Sequence, residues 1–204
     1  MDRLAFRAEA DLEAAVVACR LAYDRGGVVA IPTETFYGLA VRPDDAAAVE
    51  SVRVLKRRPL EKALPLVAAD LFQVRGLIVL SPMWVARLAT VWPAPLSVVA
   101  TLHRPLAACG LTAAVRVPDH GLLRALLREL GPLTATSANP GGLPAARSPG
   151  EVVRRLESGL ALLLDGGETA GGRPSTLLDV RSEPPKLLRA GAFEPPGEWG
   201  IEGA

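Results

Sequence analysis

Only three of the 23 lysines and arginines in this 204-residue chain are lysines, and two of those, Lys56 and Lys62, fall in one short stretch, LKRRPLEKALPL (55–66), beside Arg57 and Arg58. An ammonium acts on phosphate as a compact point charge, whereas a guanidinium grips it bidentately. Lys56, Arg58 and Lys62 therefore suit a polyphosphate better than a generic surface does. The same cations also suit the C-terminal end of a helix, where they complement the dipole, so this stretch read alone leaves both roles open. Arg57 lies between them and by alternation is expected to face away and be dispensable.

Other polar clusters lie at strand ends or in loops. PTETFYGL places Thr33, Glu34, Thr35 and Tyr37 after a buried strand; hydroxyls there either bind a ligand or bond the nearby backbone. Arg116 stands in the apolar strand TAAVRVP, where a guanidinium is costly unless paired; its partner is either an internal carboxylate or a ligand carboxylate. TSANPGG offers Ser137 and Asn139 on a glycine-permissive loop, or an ordinary Asn-Pro turn. RPSTLLDV brings Ser175 to a strand start, and LLRAG brings Arg189 near the chain end. Asp179 reads as a strand-end residue rather than a metal ligand.

The elements that must position these residues follow from periodicity and caps. Leu12, Ala15, Val16, Cys19 and Tyr23 have helical spacing, stopped by Gly26 and Gly27. VVAIP is a buried strand, and a helix follows from Asp44 or Asp45 to the residues before Pro59. ALPLVAA is a strand, DLFQVR a helix, and Ser81 with Pro82 opens another helix. LSVVATL and TAAVRVP are strands. A helix capped by Asp119 ends at Gly131, and LTATSA is a strand. Ser148, Pro149 and Glu151 form a capping-box pattern. LALLLDGG, STLLDV and KLLRAG are the closing strands. This alternation predicts an α/β fold, an open twisted sheet of mixed parallel and antiparallel strands with flanking helices. Residues 1–192 form the domain, and 193–204 lack periodicity and are expected to be a loose tail.

Composition narrows the function classes. Half the residues are hydrophobic, 22% are charged and the formal net charge is +1, which neither demands nor excludes a nucleic-acid partner. Cys19 and Cys109 form no C-x-x-C, and His103 and His120 are the two imidazoles, so no protein metal site is expected. Reduced thiols, a charged N-terminus without a signal-like apolar core, and no run of the ~20 apolar residues a span needs imply a cytoplasmic protein. G-x-x-x-x-G-K-[ST], G-x-G-x-x-G and G-x-S-x-G are all absent, which excludes the P-loop, the dinucleotide fingerprint and the nucleophile elbow.

Taken in order, PTETFYGLA, KRRPLEKALPL, WPAPLS, AAVRVPDH, TSANPGG, PSTLLDV and LLRAGA, spanning residues 32–192, resemble the YrdC-like family of threonylcarbamoyl-AMP synthases in its short, single-domain form. The resemblance implies a large electropositive cavity and a reaction in which L-threonine, bicarbonate and ATP give threonylcarbamoyl-AMP and pyrophosphate. It implies a partner transferase that carries the threonylcarbamoyl group to tRNA, and Mg2+ arriving with ATP. Lys56 and Arg58 match the catalytic phosphate grip, joined by Lys62, with Thr112, Asn139, Ser148 and Arg189 on the ATP side. Thr33, Thr35, Tyr37, Arg116, Ser137 and Ser175 match the threonine side. The chain differs from the common family pattern at Ala94, Ser97, Gly141 and Val67. The alternative expectation is a module that binds double-stranded RNA or tRNA without catalysis.

Overall fold

A computed structural model describes residues 1–57 and 62–203. Eleven strands and six α-helices are formed among them. The chain is mixed α/β as expected, but its strands divide into two sheets.

The first sheet contains β1 (Asp2–Ala5), β2 (Val29–Pro32), β3 (Tyr37–Ala40), β8 (Thr136–Ser137) and β9 (Leu162–Asp165), in the order β1-β9-β2-β3-β8. β9 is parallel to both β1 and β2, whereas β3 is antiparallel to β2 and to β8. β2, β3 and β9 are buried at every position, which is why their sequences are continuous apolar runs rather than alternations. The helices α1 (Leu12–Asp24) and α5 (Gly121–Leu130) cover this sheet. Ala15, Cys19, Leu123, Leu126 and Leu127 meet Val29, Ile31, Leu162 and Leu164 in one cluster.

The second sheet contains β4 (Leu66–Val67), β5 (Leu96–Leu106), β6 (Gly110–Arg116), β7 (Leu133–Thr134), β10 (Thr176–Asp179) and β11 (Lys186–Arg189), ordered β11-β10-β5-β6-β4-β7. Its core joins α2 (Ala46–Lys56), α4 (Pro82–Val91) and α6 (Pro149–Leu156) through Val49, Val52, Leu88 and Val152. A short helix, α3 (Leu71–Leu77), is capped by Asp70, whose side chain accepts from Gln73 N.

The helix starts follow the sequence, with one correction. Asp45 caps α2, Ser81 caps α4 and Ser148 caps α6, each side chain accepting the backbone N–H of the residue three positions on (Ala48, Trp84 and Glu151) in the first turn. α5 is capped by His120 and not by Asp119: His120 Nδ1 accepts from Leu123 N at 3.1 Å. The ring stacks on Phe6, with centroids 6.3 Å apart, and burial pushes its pKa down, which keeps Nδ1 free to accept.

Two further expectations change. LTATSA is not one strand. Leu133–Thr134 pairs with β4 in the second sheet, Thr136–Ser137 pairs with β3 in the first, and Ala135 N donates to Pro65 O at the crossing. The segment after Ala192 is anchored rather than loose. Trp199 is 4% exposed and meets Trp84 edge-to-face at 5.3 Å, with Arg87 lying over both indoles. Leu187 N donates to Glu202 O, and Glu202 N to Pro185 O. An aromatic anchor of this size offsets the ordering entropy of a segment without periodicity.

Candidate active site

A cavity of about 500 Å³ is lined from both sheets, within the range of about 300–1,000 Å³ usual for small-molecule sites. The first sheet contributes the β2–β3 turn and β8. The second contributes β4, β6, and the neighbouring starts and ends of β5, β10 and β11.

The turn is built by its own hydroxyl. Thr33 Oγ1 accepts from Thr35 N and Phe36 N, each at 3.2 Å, and donates to Phe36 O at 2.7 Å. That ST-type turn holds the Thr35 hydroxyl 3.2 Å from Thr33 Oγ1, and both residues line the cavity. Tyr37 begins β3 fully buried; its hydroxyl donates to Gly167 O at 2.7 Å and accepts from Gly166 N at 3.1 Å. Burial pushes its pKa up to about 12, so the phenol stays neutral.

Arg116 ends β6, opposite Ser97 on β5 and Val67 on β4. It is 9% exposed, lines the cavity and pairs through Nη1 with Glu34 Oε1. Of the two partners the sequence left open, the internal carboxylate is therefore present. Burial lowers the Arg116 pKa, Glu34 opposes that, and the nearby Arg189 adds to it.

On the same sheet, Arg189 donates from Nε and Nη2 to Ser175 O at 3.1 and 2.8 Å, and Ser175 Oγ lies 3.0 Å from Ser97 Oγ. Gly191 permits this arrangement: a Cβ there would overlap the backbone of Pro174, Ser175 and Thr176. Burial also pushes the Arg189 pKa down.

Lys56, at the end of α2, is 4% exposed. Its ammonium donates to Ser137 O, to Asn139 O at 3.0 Å and to Asn139 Oδ1 at 3.1 Å. Ser137 Oγ in turn donates to Asn139 Oδ1 at 2.6 Å, and Asn139 Nδ2 donates to Pro140 O and Leu143 O. Lys56, Ser137 and Asn139 are thus one unit joining the end of α2 to the TSANPGG loop.

The cavity thereby gathers Thr33, Thr35, Tyr37, Arg116, Ser137, Ser175 and Arg189. Lys56 and Asn139 support its Ser137 edge. Lys62 is exposed, Thr112 pairs across to Thr101 on β5, Ser148 caps α6, and none of the three lines the cavity. Arg58 lies outside the described residues. Ser97 lines the cavity without having been singled out as a site residue; its place in WPAPLS, just after a rigid turn, was the available signal. Among the described residues no group of three His, Cys, Asp or Glu stands close enough to hold a metal ion.

The Sua5/YciO/YrdC family profile, described as "Telomere recombination", matches residues 22–191. The chain is 38% identical over 178 residues to a protein of Vibrio vulnificus named threonylcarbamoyl-AMP synthase, covering 83% of this chain and 95% of that one. It is 39% identical over 160 residues to a Pseudomonas aeruginosa protein of the same name, covering 76% and 86%. Among solved structures, P. abyssi Sua5 complexed with L-threonine superposes with a TM-score of 0.84 at 31% identity, over 94% of this chain and 58% of that one. The chain belongs to the Sua5/YciO/YrdC family.

Proposed function

We propose that this chain is a threonylcarbamoyl-AMP synthase, forming threonylcarbamoyl-AMP and pyrophosphate from L-threonine, bicarbonate and ATP for the threonylcarbamoyladenosine modification of tRNA. The observation that carries the reading is the convergence of Thr35, Arg116, Ser137, Ser175 and Arg189 on one cavity, in a chain this similar to proteins of that name.

Arg116 holds the threonine carboxylate, and Thr33, Thr35, Tyr37 and Ser175 shape the pocket around the side chain and amine. Ser137 and Asn139 stand between the two substrates. Lys56, Arg58 and Lys62 serve the phosphates, with Thr112, Ser148 and Arg189 on the nucleotide side. The threonine amine captures CO2 derived from bicarbonate, giving a carbamate. A carbamate oxygen attacks the α-phosphorus in line, and the bond to the β-phosphate oxygen breaks as pyrophosphate leaves. This chemistry asks for alignment and charge neutralisation rather than a covalent nucleophile. Mg2+ would arrive with the ATP phosphates and would supply charge neutralisation there. Walls from both sheets limit access of water to the labile carbamate. A separate transferase takes the product to tRNA in the cytoplasm. No described helix is long and apolar enough to cross a membrane.

The test is threonine-dependent pyrophosphate release with ATP and labelled bicarbonate. Release that does not depend on threonine, or no release, overturns the reading. Arg116→Ala is expected to raise the threonine KM at least about tenfold, the scale of a lost charge-assisted pair, and to move the ATP KM far less.

A further inference from the structure

Glu34 has a split environment. Oε1 pairs with Arg116 Nη1, while Oε2 is buried and has no hydrogen-bond partner. A buried carboxylate oxygen without a donor is expensive to keep. The partner Arg116 and the chain neighbours Thr33 and Thr35 line the cavity, whereas Glu34 itself stands outside that lining and reaches it through Arg116. The other titratable group whose charge interacts with it is His120, and that ring is committed through Nδ1 to capping α5. Arg116 has no other hydrogen-bond partner among the described residues, which leaves its Nε and Nη2 donors for a ligand.

The pair therefore offers adjacent, opposite functions: guanidinium donors with no partner and a carboxylate oxygen with no donor. An α-amino acid zwitterion presents their complement, a carboxylate and an ammonium on one carbon. We propose that Glu34 is a binding residue for the α-ammonium of the amino-acid substrate, so that Arg116 and Glu34 together read the zwitterion and select an α-amino acid over its α-hydroxy counterpart. The terminal torsion of a glutamate is soft, so turning Oε2 toward the ligand costs little. The assignment rests on the proposed function and adds to it a residue for which neither the motif spacing nor the cation clusters supplied a role.

The experiment is calorimetric titration of the whole chain with L-threonine and with 2,3-dihydroxybutanoate, which keeps the carboxylate and side-chain hydroxyl and replaces the amine by a hydroxyl. ATP titration reports an intact fold. The wild-type protein is expected to favour threonine by at least about tenfold, the scale of one charge-assisted hydrogen bond. Glu34→Gln is expected to lose most of that preference, weakening threonine while leaving the hydroxy acid and ATP nearly unchanged. Equal binding of the two acids by the wild type overturns the assignment without the need for a variant. So does a Glu34→Gln protein that weakens both acids by the same factor, because Glu34 would then only be holding Arg116 in place. A wild type that binds ATP but neither acid overturns the functional reading, and the zwitterion assignment with it.

Discussion

Lys56 shows what the preference for a lysine in an arginine-rich chain means physically. Its ammonium is surrounded by oxygens of Ser137 and Asn139, a compact nest that three tetrahedral N–H donors fit and a planar five-donor fork does not. Lys56→Met keeps the aliphatic stem and strips these oxygens of their donor. We expect it to lose about 2–4 kcal/mol of stability, measured as a lower urea midpoint, together with pyrophosphate release. Lys56→Arg is expected to rescue neither. If Lys56 were a solvent-facing phosphate grip alone, the variant would lose turnover with no change in midpoint. The choice of lysine was legible in the composition. The oxygen cage was not, because Ser137 and Asn139 lie 81 and 83 residues away along the chain.

At the scale of elements, the junction between α2 and the TSANPGG loop is close-packed. Arg57 closes α2 in the left-handed region at φ 49°. Arg57 is exposed, whereas Lys56 is buried. Gly141 N donates to Lys56 O at 2.6 Å, and a Cβ on Gly141 would stand 2.9 Å from that same oxygen. Gly141→Ala is expected to cost about 1–3 kcal/mol, as overpacking does. Gly76→Ala, in α3 with nothing near the new methyl, is expected to stabilise by about 0.5–1 kcal/mol. Thermal melts of the two variants check this pair, and equal shifts would refute the close approach. Helix starts were legible because Asp45, Asp70, Ser81 and Ser148 cap locally. The division of LTATSA between two sheets was not, because nothing in six residues records which edge each half will meet.

At the scale of the whole molecule, both ends of the chain are tied into the sheets. Arg3 and Arg7 donate to the Asp165 carboxylate at 2.6 and 2.8 Å, joining the N-terminal segment to the end of β9. Burial works to raise the Asp165 pKa, but the bonds from Arg7, Arg3 and Gly167 N outweigh it and hold it below the usual aspartate range. A depressed folded pKa contributes stability that is complete above the unfolded value of about 4 and is lost as pH falls through the lower folded value. Thermal midpoints recorded from pH 6 down to pH 2 are therefore expected to fall more steeply for the wild type than for Asp165→Asn, whose side chain does not titrate. Parallel curves would show that this linkage is absent. At the other end, Trp199 packs on Trp84 and Phe193. That contact was invisible in a tail without periodicity, because one buried indole leaves no repeating pattern.

By itself the sequence determined the mixed α/β class, most of the caps, the order of the elements and the set of polar residues available for chemistry. These rest on local periodicity and on hydrogen bonds between residues a few positions apart. Only the tertiary structure decided that there are two sheets, that the cavity opens between them, and that Arg116 faces Glu34 while Lys56 faces Ser137 and Asn139. Such pairings join residues dozens of positions apart. They are set by which sheet edges and helix ends the packed core brings together, and no short-range pattern along the chain encodes that.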